Sequence, residues 1–166
     1  MNDVGLKRLW RKKKHRVVNN LRVEAKDLKR SYYRIIGEIK ENVVNNPYNR
    51  TKIPHLLLFY YAVECGLKLA WLRKEKLNFS PNKEEYEDFY THNFSFFLSQ
   101  LKIMASDSFD ISQVTIIQNN SKERIHISKI HEAWRYGVAV MPDDEEKTML
   151  GLKKISKWIE QSGYLK

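Results

Sequence analysis

The sequence predicts an all-α fold: an up-and-down bundle of four to five helices with a small β-hairpin inserted at about residues 112–127. Three observations carry that expectation. The first is the stretch from Leu56 to Lys74, which is apolar on more than one side. Phe59, Val63, Leu67 and Ala70 recur at helical spacing, and Leu56, Tyr60, Leu67 and Trp71 cover a neighbouring stripe. A helix of this kind needs neighbours on two or three sides, which places it at the centre of a bundle. Glu64, Lys68, Arg73 and Lys74 break it too often for a membrane span. The second observation is helical periodicity on either side, in Val17–Val44 and Met141–Gly163. The third is the β-branched run Val114-Thr115-Ile116-Ile117, followed by the turn chemistry of Asn119-Asn120-Ser121 and the alternating Arg124-Ile125-His126-Ile127.

Taken in order, residues 1–16 form a basic arm. Leu6, Leu9, Trp10 and Lys13 lie along one seam there, and Arg11 to Lys14 form a charged edge. Val17–Val44 is the first bundle helix, with Leu28, Tyr32, Ile35, Ile36 and Ile39 on its apolar face. Asn45-Asn46-Pro47 stops it. Pro54 opens the central helix, which runs to about Glu75, and Glu64 and Lys68 form an i,i+4 pair on its wetter side. Thr91 or Asn93 caps a third helix carrying Phe94, Phe97, Leu98, Leu101 and Met104. Beyond the hairpin, Ser128 caps a short fourth helix, Lys129 to about Val138, with Ile130, Ala133 and Trp134 turned inward. The last helix is the clearest by local rules. Pro142 opens it, four acids crowd its start, lysines lie toward its end and Gly163 terminates it.

A length of 166 residues fits one domain, residues 1–166, able to bury roughly two thirds of its extended-chain surface. The lone Cys65 has no internal partner for a disulfide and reads as a small core residue in a reducing compartment. No signal peptide or transmembrane segment is expected, which points to a cytoplasmic protein. The net charge is +10, from 30 Lys and Arg against 20 Asp and Glu. Residues 1–34 hold twelve basic and three acidic side chains, so nearly all of the excess lies at the front. A concentrated basic field favours a polyanion, and Lys12, Lys13, Lys14, Arg16 and Arg22 are the candidate nucleic-acid contacts there.

Metal and cofactor motifs are not expected. The five histidines show no helical zinc-site spacing, no cysteine cluster accompanies them, and there is no glycine-rich phosphate loop. The informative stretch is Arg124–Tyr136, RIHISKIHEAWRY. Its histidines and arginines suit metal-free phosphodiester chemistry. A histidine moves the proton, an arginine meets the developing charge, and the RNA 2′-hydroxyl is the built-in nucleophile. Arg124, His131 and Arg135 are the candidate catalytic residues, and Tyr136 is a candidate for stacking a base. The alternative is structural: Trp134 and Tyr136 as core anchors, with Arg135 paired to an acid such as Glu64.

Tyr61-Ala62-Val63-Glu64 with Gly66-Leu67-Lys68, then Thr91-His92-Asn93-Phe94, then Arg135-Tyr136, resembles the HEPN superfamily, the higher eukaryotes and prokaryotes nucleotide-binding domain. Glu64 and Lys68 match its AxExxLK-like helix, His92-Asn93 its second motif, and Arg135-Tyr136 its Arg-Tyr-Pro-like element, with Gly137 where proline is common. The resemblance implies a helical bundle, often a homodimer. In many members it implies a metal-independent ribonuclease of toxin–antitoxin or defence systems, whose motif is an arginine and a histidine with four to six residues between them. Arg124 and His131 have that spacing, although Ile125 stands where the family has a polar residue and the hairpin places Arg124 on a strand. Members without the motif bind nucleic acid or a protein partner. The departures put that non-catalytic binding role first for this chain, with a metal-independent endoribonuclease and a structural protein–protein domain as alternatives.

Overall fold

The helix expected at the centre is there. In the computed structural model, which describes residues 23–45 and 52–165, five α-helices and one small sheet are arranged around α2 (Lys52–Lys74). This helix touches α1 (Ala25–Asn45), α3 (Phe94–Gln100), α4 (Ile130–Arg135) and α5 (Pro142–Gln161). Leu56, Tyr60, Val63, Leu67 and Trp71 are buried, and so are Ala62, Leu69 and Leu72 on the remaining sides. Pro54 falls in its first turn, where a missing N–H breaks no helical bond. At Gly66, side chains of two neighbouring helices close in on the central one. A Cβ there would lie 2.8 Å from Ile159 of α5 and 3.0 Å from Tyr32 of α1. No helix of the described residues is long and apolar enough to cross a membrane.

Leu28, Tyr32 and Ile36 of α1 are buried at four-residue steps, as their spacing predicts. Backbone bonds from Ala25 to Asn78 (2.9 Å) and from Ser80 to Val23 (2.8 Å) pin the start of α1 to the loop after α2. The part of the predicted first helix before residue 23, with Val17, Leu21 and Arg22, lies outside the described residues. So do the basic arm and its candidate contacts Lys12, Lys13, Lys14 and Arg16.

The third helix is shorter than expected. It ends at Gln100, and Met104, assigned to its apolar face, is 70% exposed. The cause is a left-handed stop at Lys102 (φ 56°), with Ile103 N–H donating to Leu98 C=O at 2.9 Å. The same device closes α2 at Lys76, so a lysine sits twice where glycine or asparagine is the usual signal.

The hairpin is β1 (Gln113–Gln118) and β2 (Ser121–His126), joined by Asn119 and Asn120, both at positive φ as a two-residue hairpin turn requires. A third strand, β3 (Ala139–Val140), was not expected. It pairs with the other side of β1, giving the order β2-β1-β3. Val114 and Ile116 turn inward, and Asp144 of α5 accepts a hydrogen bond from Thr115 N–H at 2.7 Å. The sheet therefore packs on the bundle and does not stand alone, as a lone hairpin could not. The final helix opens at Pro142 and ends before Gly163 (φ 80°), as its local signals predict.

Candidate functional site

Three polar residues of α2, Tyr60, Glu64 and Lys68, are spaced by four and so share one face of a helix that is otherwise apolar nearly all round. Glu64 is buried, and both carboxylate oxygens are engaged. Oε1 accepts from Lys68 Nζ at 2.6 Å, and Oε2 lies 2.8 Å from His92 Nδ1. The Lys68 ammonium also sits 5.5 Å from the centre of the Phe89 ring, over its face. A buried carboxylate is tolerated only when its charge is balanced and its lone pairs are filled, and these two partners supply both.

His92 comes from the loop just before α3. Its neighbour Asn93 caps that helix, accepting from Ser95 N–H at 3.1 Å. The Tyr60 hydroxyl donates to the His92 carbonyl at 2.7 Å, so the central helix grips His92 by both backbone and ring. Burial pushes the Tyr60 hydroxyl well above the usual tyrosine range, which keeps it a donor. The His92 side chain remains 46% exposed, and it is the member of the cluster that meets solvent.

His131 enters from the first turn of α4. Its ring stacks on Tyr60 (centroids 5.2 Å, 24°) and lies 4.4 Å from the His92 ring, centroid to centroid. Its Nδ1 donates to the Ser128 carbonyl at 2.8 Å, which leaves the Nε2 lone pair free in the neutral ring. Burial, and then the neighbouring His92, hold His131 below the ordinary histidine range, so it is neutral at pH 7. Its Nε2 lies 4.0 Å from Glu132, whose carboxylate takes Lys129 at 2.8 Å. A small cavity of about 20 Å³ opens beside Tyr60, Asn93, Phe94, Phe109 and Ser128, with room for roughly one water.

Of the residues singled out in the sequence, His131 belongs to this cluster. Arg124 is exposed on β2 opposite Thr115, and Arg135 is exposed as the last residue of α4. Among the described residues, neither arginine makes a side-chain hydrogen bond or ion pair with His131. Tyr136 is 74% exposed just past α4, not a core anchor, whereas Trp134 is buried. Glu64 pairs with Lys68 and His92, and not with Arg135. The sequence singles out His92 only through the family resemblance, and Glu64 through that resemblance and its i,i+4 pairing with Lys68. For Glu64 the signal in the sequence is the line Tyr60, Glu64, Lys68, spaced by four on a helix with almost no wet side. Among the described residues no three His, Cys, Asp or Glu side chains converge as a metal-ligand set.

Comparison with protein-family models, with curated proteins and with solved structures finds no match for the chain. The chemistry of the cluster therefore rests on its own geometry. A buried carboxylate, paired with Lys68 on one oxygen, orients an accessible imidazole through the other, with a second, neutral imidazole alongside. That arrangement suits reversible proton transfer at the protein surface.

Proposed function

We propose that this domain acts on RNA and cleaves it by metal-independent acid–base chemistry at His92, with Glu64, Lys68, Tyr60 and His131 holding that ring. The observation that carries the reading is the 2.8 Å contact of the buried Glu64 with a half-exposed His92. In the proposed step, His92 Nε2 takes the proton of an RNA 2′-hydroxyl. The 2′-oxygen bonds to the adjacent phosphorus and the bond to the 5′-oxygen breaks. The proton then passes from His92 to that departing oxygen. The products are a 2′,3′-cyclic phosphate and a 5′-hydroxyl, and no oxidant or cofactor is consumed. Glu64 fixes the ring through Nδ1 and balances the transient imidazolium, the role a carboxylate plays behind a catalytic histidine. The resemblance to the HEPN superfamily, many of whose members are ribonucleases, and the cationic surplus of residues 1–34 support the choice of RNA.

The test incubates purified protein with total RNA in the presence of a chelator. Wild type is expected to generate cyclic-phosphate ends, and His92→Ala to lose at least about 10²-fold in rate, the usual scale of a general acid–base group. Equal rates for the two proteins would defeat the reading. An RNA-binding domain without chemistry is the second reading, favoured by the same cationic surplus. It is what remains if RNA is bound but neither protein cleaves it.

A further inference from the structure

Strand β2 sorts its charges by face. Val114 and Ile116 of β1 are buried, so their neighbours Gln113, Thr115 and Ile117 point outward. The register sets His126, Arg124 and Lys122 opposite these three, on the same outward face, and leaves Glu123 opposite the buried Ile116. Lys122, Arg124 and His126 are all exposed. No outward residue of the hairpin strands is acidic, and among the described residues neither Lys122 nor Arg124 has an ion-pair partner. The row repeats every second residue, in steps of about 6.7 Å, comparable with successive phosphates of an extended single strand.

The row also runs into the site. His126 Nδ1 bonds to the Ser128 hydroxyl at 2.8 Å, and the Ser128 carbonyl accepts His131 Nδ1 at 2.8 Å. One residue therefore joins the end of the cationic strand to the histidine pair, and the Tyr60 hydroxyl lies 3.4 Å from the same carbonyl. We infer that the outer face of β2, through Lys122, Arg124 and His126, is the track for the phosphate backbone of single-stranded RNA and delivers it to His92. Arg124 then contacts the substrate's backbone and not its reacting phosphate. This rests on RNA being the ligand, as proposed above, but not on its being cleaved.

The experiment reads binding alone. The probe is a fluorescent 2′-O-methyl oligonucleotide of about twelve residues, which lacks the nucleophile and cannot be cut. Its affinity is measured by anisotropy at several salt concentrations for wild type, for Lys122→Ala/Arg124→Ala, and for Lys153→Ala/Lys157→Ala. The last pair removes two exposed charges from α5. The β2 pair is expected to weaken binding about tenfold or more at low salt. It should also flatten the slope of log affinity against log salt by about 1.4, for two lost single-strand phosphate contacts. The α5 pair should stay within about twofold of wild type. Unchanged affinity and slope for the β2 pair, or equal losses for both pairs, would overturn the track. Because the probe cannot be cut, a failure of cleavage and a failure of the track are separately visible.

Discussion

Glu64→Gln is the sharpest single perturbation of the cluster. The amide keeps the shape of the carboxylate but carries no charge and has only one acceptor. Its oxygen must face Lys68 Nζ, now at 2.6 Å from Oε1, because an amide NH₂ there would meet another donor. The NH₂ group then faces His92 Nδ1 across the 2.8 Å contact and forces that nitrogen to accept. The proton moves to Nε2, and the lone pair that would take the 2′-hydroxyl proton is gone. The expected rate loss is on the order of 10²–10⁴-fold, the range for a catalytic histidine held in the wrong tautomer. Stability falls as well. Removing one partner of a fully buried ion pair costs about 3–5 kcal/mol, but the Lys68 side chain is 15% exposed and His92 46%, so about 1.5–3 kcal/mol is expected. For a chain of 166 residues that lowers Tm by roughly 3–12 °C. Adding Lys68→Met removes the stranded cation and should recover much of the Tm without restoring activity. Thermal melts by circular dichroism and the chelator-treated RNA assay read both quantities. A Glu64→Gln protein with wild-type Tm would refute the ion-pair argument. One with wild-type cleavage would refute the tautomer argument.

Three further outcomes are expected. His131 is held below its ordinary value in the fold, so the unfolded chain binds its proton first as pH falls. Stability should therefore decline from pH 6.5 downward by up to about 1.4 kcal/mol per pH unit, until the folded ring also titrates. His131→Gln should flatten that part of a Tm-against-pH curve. Gly151→Ala should lower Tm by several degrees. Its Cβ would occupy the space of the Phe109 ring and lie 3.1 Å from the Phe109 Cα, which cannot simply rotate away, so a cost of about 1–3 kcal/mol is expected in a melt. Burial pushes the Cys65 thiol up to about 11, so it stays protonated at pH 8. Alkylation by iodoacetamide, followed by mass spectrometry, should be slow in the native protein and fast in denaturant.

How much of this was legible in the sequence depended on how local the cause was. The central helix was readable because apolar residues on several of its faces allow only a buried position. The last helix was readable because Pro142, its acids and Gly163 are local signals. The end of α3 was not, because Lys102 takes a left-handed conformation that its side chain does not advertise. Strand β3 is two residues long, too short to show a period, and exists only because β1 offers it an edge. At the site, Glu64 was legible as a partner of Lys68 four residues on. Its second partner, His92, lies 28 residues away, and only the packing of α3 against α2 brings the two together. Arg124 and His131 have a suggestive sequence separation, but a strand and a helix project side chains along different directions, and separation alone cannot show that.

The cluster's own exposure pattern argues for the proposed chemistry over a purely structural role. Polar networks kept for structure do best when every member is buried and satisfied, and an apolar set of equal volume is often at least as stable. Here Glu64, Tyr60 and His131 are buried, yet all three converge on a ring that is 46% open to solvent. Tyr60 holds the backbone of His92, Glu64 holds Nδ1, and His131 lies against its ring. Burying Glu64 and Lys68 in the core carries a desolvation cost, and securing an exposed side chain contributes little to folding in return. The cost is reasonable if the ring must stay in one orientation while its outer edge meets a ligand. That asymmetry, buried supports around an accessible imidazole, is the physical reason the proposed activity is placed at His92 and not at the exposed arginines nearby.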